Sequence, residues 1–315
     1  MSVRRSVIPL VVALLATPAL AHDYWLSPVT HFLTADGDVG VSLLVGDKLV
    51  VEEDRPFEAE RTPRIDLVQG TQTLDLRADA IQRAVPFLTI PLHGAGGHLL
   101  VVDRVPATVE LDAAKFETYI RNEGHKGILE ERAKRGESAK PGRERYQRNI
   151  KALFQVGTER DATFSTDTGQ TIELIPEQHP TFAAPGETVT FRLTFRDKPL
   201  ADHQIVALSR SGGTVKVVHS AAYTTDADGR VTIAIDRRGD WLIRGVHMIR
   251  CEQDCDDVEW DSHWVAYTFG NPEIAVTPRG VPMIAVIGAA AGALILVVLG
   301  LVLRRTSSRR RAARR

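Results

Sequence analysis

Over much of the chain hydrophobic and polar positions alternate with a period of two, the pattern of strands that bury one face. Such runs, or short apolar ones, cover residues 39–45, 64–69, 73–77, 85–92, 98–105 and 108–111. Asp36-Gly37, Gly46-Asp47, Gly70 and Gly94-Ala95-Gly96-Gly97 punctuate them. Together they predict an N-terminal β domain over residues 22–111, of the sandwich kind. The glycine run has strand-like sequence on both sides and no helix after it, so it reads as a hairpin loop rather than a phosphate cradle.

The period changes at Asp112, which suits the cap of a helix carrying Phe116, Tyr119 and Ile120 on one stripe. Gly124 and Gly127 interrupt that helix, Ile128 and Leu129 resume it, and residues 130–145 read as an exposed, charged elbow. Tyr146, Ile150, Leu153 and Phe154, spaced i, i+4, i+7 and i+8, then predict a second helix whose alternating charges form a solvated surface. Residues 112–160 are thus expected to be a helical insert packed across two sandwiches.

From Thr171 the period of two returns, cleanest over residues 188–195 and continuing through 204–209, 215–219 and 231–235. The turn at Asp197-Lys198-Pro199 and the later Thr225-Asp226-Ala227-Asp228-Gly229 resemble those of small Ig-like or transthyretin-like sandwiches, which assigns residues 161–270 to a second β domain. Two close carboxylates in the acidic turn invite calcium, but Asp-Gly favours a plain structural turn. The expected fold is mainly β: two β-sandwich domains, the helical insert and one C-terminal transmembrane helix.

The two ends carry the addressing information. Arg4 and Arg5, an apolar run and Ala19-Leu20-Ala21 read as a signal peptide over residues 1–21. Residues 281–303 form an uncharged stretch long enough to cross a bilayer. Seven arginines follow within the expected cytoplasmic tail, residues 304–315, and orient it inward by the positive-inside rule. The expected location is the inner (plasma) membrane, single-pass, with the globular part periplasmic. Without Arg4, Arg5 and that tail, acidic residues outnumber basic ones by about ten. This excludes nucleic acid as a partner, which demands a basic face, and favours cationic ligands.

Candidate chemistry concentrates in histidines. Cleavage after Ala21 makes His22 the first residue, whose α-amine and imidazole Nδ1 can chelate one transition-metal ion. Near the other end of the exported part, equal steps back from a loop centred near Cys255 reach His247 and His263, which a hairpin would place side by side on one face. Cys251 and Cys255 lie in that loop. An oxidising compartment favours a local disulfide between them, and the rival reading is a pair of thiolate ligands flanked by the same two histidines. His93 and His98 bracket the glycine run and read as exposed turn histidines.

Four ordered segments resemble the nickel-uptake NikM-like family, domain of unknown function 4198. They are His22-Asp23-Tyr24-Trp25-Leu26, the pair KFETYIRNEG and RERYQRNIKAL, GDWLIRGVHM, and WDSHWVAYTF. The resemblance spans residues 22–270 and implies a periplasm-facing β protein associated with uptake of nickel or cobalt. The motifs align His22 and Asp23 with the family's mature start, His247 with its Val-His-Met segment and Ser262 to Trp264 with its closing strand. Nitrogen ligands by themselves should hold Cu(II) above Ni(II). The expected function is a membrane-anchored accessory that binds nickel, cobalt or copper at His22, His247 and His263 and passes it to a metal permease. Two alternatives remain open. One is a histidine-brace copper enzyme, although Gly-x-Ser-x-Gly and His-Glu-x-x-His motifs are lacking. The other is a metal-independent binding module using Tyr24, Trp25, Trp260 and Trp264.

Overall fold

A computed structural model describes residues 22–54, 57–211 and 218–273. Strands form where the apolar runs lie. The first half contains β1 (Asp23–Pro28), β2 (Phe32–Leu33), β3 (Gly37–Asp47), β4 (Val50–Asp54), β5 (Arg64–Gln69), β6 (Gln72–Asp75), β7 (Leu88–Leu92) and β8 (Gly96–Leu111). Helices α1 (Ala113–Asn122) and α2 (Lys126–Lys134) follow. The second half contains β9 (Gly142–Val156), β10 (Ile172–Pro176), β11 (Glu187–Phe195), β12 (Lys198–Pro199), β13 (Gln204–Arg210), β14 (Val218–Thr224), β15 (Arg230–Ile235), β16 (Gly239–Arg250) and β17 (Trp260–Asn271).

The layers explain the pattern. One sheet runs in the order β14-β13-β16-β17-β9-β8-β5-β6, and β2 pairs with β9 outside that path. One of its faces packs on the small sheet of β1, β3, β4 and β7 through a core that includes Trp25, Leu43, Leu100, Ile150, Phe154 and Leu242. The other packs on β10, β11, β12 and β15 through Leu99, Leu153, Phe191, Ile205, Ile243 and Tyr267. Successive residues such as Leu99 and Leu100, or Leu242 and Ile243, therefore enter opposite cores, as a pleated strand requires.

The mainly β expectation holds, with two corrections. The two β regions are not separate sandwiches: strands from both, together with β9, build the one central sheet, and the described residues up to Pro272 belong to one compact unit. The stretch containing Tyr146, Ile150, Leu153 and Phe154 is strand β9, not a helix. It lies between β8 and β17, paired in parallel with the latter, and every residue from Asn149 to Val156 is buried. A strand covered on both faces reads as a continuous apolar run, and periodicity cannot tell that from a buried helix.

The expected helix start is present. The side chain of Asp112 accepts a hydrogen bond from the Lys115 amide at 2.9 Å, and Phe116, Tyr119 and Ile120 are buried. They pack on Val246, Met248, Trp260 and Trp264, so α1 covers the exposed end of the β16–β17 hairpin. Gly142 allows this approach, since a Cβ there would stand 2.1 Å from the Phe116 ring.

The glycine run joins β7 in the small sheet to β8 in the central one, so it is a crossover rather than a hairpin. His98 is buried and bonds the His93 carbonyl, while His93 pairs with Asp36 at the surface. The 225–230 segment is a structural turn: Asp226 Oδ1 accepts from the Asp228 and Arg230 amides. Cys251 and Cys255 are bridged. The expected leader (residues 1–21), membrane span (281–303) and arginine tail (304–315) lie outside the described residues. Among the described residues no helix is long and apolar enough to cross a membrane.

Candidate metal centre

β16 and β17 pair so that His247 lies directly opposite His263, the arrangement that equal steps from the Cys255 loop require. Their ring centres are 6.4 Å apart, and the Phe195 ring stands 4.6 Å from one and 4.7 Å from the other. Two further histidines extend the row. β13 pairs with β16 through Ile205 and Gly245, and two more steps of that register bring His203 opposite His247. Its ring is 5.3 Å away. His125, in the turn between α1 and α2, lies 5.9 Å beyond His203.

Three of the four imidazoles carry unused nitrogen. His203 and His263 are each 7% exposed. Nε2 of His125, Nε2 of His203 and both ring nitrogens of His263 find no hydrogen-bond partner among the described residues. One ring nitrogen of His203 is held by the backbone of Val246, which fixes the ring while Nε2 stays available. Burial pushes His247 down to about 3, with the neighbouring His203, His263 and His125 adding to the effect. Burial and then His203 bring His125 to about 3, and burial brings His203 and His263 to about 4. All four are therefore neutral imidazoles at pH 7, the form that binds metal.

As the side chains stand, no three His, Cys, Asp or Glu groups among the described residues converge to hold an ion. Two imidazoles bound at about 2 Å to one tetrahedral ion have ring centres roughly 5 Å apart. The His203–His247 pair already meets that spacing, while His125–His203 at 5.9 Å and His247–His263 at 6.4 Å are wider. With both cysteines bridged, the donors offered are imidazole nitrogens, which suit copper, nickel, cobalt and zinc. Of the four, His263 also lines a cavity of about 380 Å³, together with Arg145, Glu252 and Asp261 among others.

His22 stands elsewhere. Its Nε2 is 2.8 Å from Glu52 Oε2, and it lines a cavity shared with Tyr24 and Trp264. Trp264 follows His263 in β17, so the two side chains leave opposite faces of the sheet. The structure thus unites His247 with His263 and sets His22 across the sheet from both. Asp23 beside it is buried and ion-paired to Arg244. His203 and His125, which sequence reasoning missed, complete the row. The signal for His203 was the β13–β16 pairing, and nothing local marks His125.

The row makes the metal-free chain acid-sensitive. The folded pKa values lie below the unfolded value of about 6.5, so on acidification the unfolded chain binds more protons. Stability is complete above that pH and is lost as pH falls toward 4. His31 and His179, also lowered by burial, act in the same direction, whereas Glu144, raised to about 7, and Asp23 and Glu123, also raised by burial, act in the opposite one. Thermal melts at pH 7, 6 and 5 should show a falling midpoint, and His263→Leu should flatten the fall. An unchanged slope in that variant would refute a buried neutral His263.

Comparison with known proteins adds a family. A family model described as "Domain of unknown function (DUF4198)" matches residues 19–249. No curated protein matches the chain. Among solved structures, the D0-D1 domain of intimin is 12% identical, with 78% of this chain and 97% of that one covered and a TM-score of 0.18. Three N-terminal domains of the highly immunogenic outer capsid protein of bacteriophage RB49 are 11% identical, covering 78% of this chain and 59% of that one, with a TM-score of 0.16. Neither likeness is close enough to bear on fold or function.

Proposed function

We propose that this chain, which belongs to the DUF4198 family, is a membrane-anchored periplasmic protein that binds a divalent transition-metal ion at His125, His203, His247 and His263. The observation that carries this reading is the row of four neighbouring imidazoles, three of which (His125, His203 and His263) hold buried nitrogens with no hydrogen-bond partner among the described residues. Buried polar nitrogens left unpaired cost stability, and a bound ion is what would satisfy several of them at once.

The likeness of four sequence segments to the NikM-like family supports nickel or cobalt as cargo and a metal permease as the recipient. The ligand chemistry favours Cu(II), because all-nitrogen sites follow the Irving–Williams order. Selection for nickel or cobalt then has to come from supply or from a geometry that disfavours the tetragonal site Cu(II) prefers. His22, across the sheet, is no part of this centre. Its amine chelate, if export bares it, would be a second and independent point of capture.

Titration of the full-length chain with Ni(II), Co(II), Cu(II) and Zn(II), followed by calorimetry and by the rise in melting temperature, tests the proposal. One saturable site that survives His22→Ala and is lost with His247→Leu supports it. Affinity that depends on His22 alone would move the centre to the chain's start, and absence of a saturable site would end the metal reading.

A further inference from the structure

On the face of the central sheet opposite the histidine row lies a cavity of about 220 Å³. β9 contributes Glu144, Tyr146 and Arg148 to it at steps of two, and Arg61, Arg104 and Tyr24 join them. Its character is cationic and aromatic. Arg148 lies over three ring faces, with its guanidinium carbon 4.6 Å from the centre of Tyr146, 4.8 Å from Tyr24 and 5.4 Å from Trp264. Its Nε is buried and has no hydrogen-bond partner among the described residues. Arg104 and Arg61 share a single carboxylate, Glu58, at 3.4 Å and 3.7 Å.

The counter-charge within the lining is weak. Glu144 is 4% exposed, with Oε2 unpartnered among the described residues. Burial pushes it up to about 7, so near neutral pH much of it is the uncharged acid. The cavity therefore joins an unsatisfied guanidinium donor to a carboxyl able to donate, beside apolar walls that include Val45 and Leu111. Buried guanidinium groups are expensive without an acceptor; a side-chain hydrogen bond to Tyr146 occupies part of this one, and the unpartnered Nε leaves an in-plane donor free on its planar edge. That planar edge matches a carboxylate, which takes two parallel hydrogen bonds from it.

We infer that this cavity binds a small organic carboxylate, its anionic head on the Nε edge of Arg148 and its apolar body against the Tyr24, Tyr146 and Trp264 rings. The cavity is smaller than the roughly 300–1,000 Å³ of sites for drug-sized ligands, which limits the occupant to a compact molecule. An inorganic phosphate would meet the charge but leave the apolar walls unused. The inference is independent of the metal centre, which lies across the sheet, so either can fail alone.

Calorimetric titration of the full-length chain with phenylacetate, propionate and inorganic phosphate tests it. Phenylacetate should bind saturably, propionate more weakly and phosphate not at all. Arg148→Met should lower phenylacetate affinity tenfold or more while metal binding is unchanged. Should that variant fail to fold, Arg61→Gln, altered at a partly exposed rim position, should still lower affinity at least threefold. Absence of saturable carboxylate binding, phosphate binding as tight as phenylacetate, or undiminished affinity in whichever arginine variant folds overturns the inference.

Discussion

A chain carrying His247→Leu is expected to bind Cu(II) or Ni(II) at least a hundredfold more weakly than the unaltered protein, a loss of about 2.7 kcal/mol. His247 is the hub of the row: it neighbours His203 at 5.3 Å and His263 at 6.4 Å. Its loss separates His263 from His203 and leaves no adjacent pair that includes both strands of the hairpin. Leucine keeps the volume and deletes the nitrogens, so the metal-free fold should remain close to that of the parent. The same measurement has a stability readout. A ligand at one hundred times its dissociation constant adds about 2.7 kcal/mol, a rise of roughly 5–10 °C in melting temperature for a body of this size, and the variant should lose that rise. His22→Ala should keep it. If His247→Leu retained the parent's affinity while His22→Ala abolished it, the imidazole row would be a packing feature only.

Which parts of this were legible in the sequence depends on how far apart the cooperating residues lie. The His247–His263 pair was readable because a hairpin fixes its own register from one loop. The Asp112 cap and the stripe of Phe116, Tyr119 and Ile120 were readable for the same reason, since their partners lie within a turn or two of helix. His203 and His125 join the row through strand order and through the docking of α1 and α2, which no local pattern states. The position of His22 across the sheet from His247 and His263 was not readable, because the chemistry proposed for that residue says nothing about which face of a sheet it reaches.

Strand β9 shows the same limit more sharply. Its partner in parallel pairing is β17, more than a hundred residues on, and helical spacing of four apolar residues outweighed the alternation also present in the same letters. Read with a period of two, Glu144, Tyr146 and Arg148 fall on one face, and that face lines the 220 Å³ cavity for which carboxylate binding is proposed. Taken as a helix, the same charges looked like a solvated surface. Misassigning one element therefore hid a site, because the period decides which side chains share a surface.

Glu173→Leu should destabilise the protein by about 3–5 kcal/mol, the range for removing one member of a buried ion pair. Lys151 and Glu173 are each 1% exposed, and they join β9 to β10 between the central and outer sheets. Burial works to raise the Glu173 carboxyl, but Lys151 and the Thr168 amide and hydroxyl together hold it below its ordinary value. For Lys151 burial prevails over Glu173 and the ammonium is pushed down. The pair is thus asymmetric: Glu173 keeps other donors when Lys151 is removed, whereas among the described residues the Lys151 ammonium keeps hydrogen bonds only to two carbonyls at 3.5 Å when Glu173 is removed. Lys151→Met should accordingly cost less than Glu173→Leu. The double variant should recover most of the loss, since apolar side chains of similar volume often replace a buried pair without penalty. Guanidinium unfolding of the parent, both single variants and the double variant gives the coupling energy directly. If the single losses were below 1 kcal/mol and additive, the two charges would not be sharing a dry interior, and the packing of the outer sheet on β9 would be looser than the structure shows.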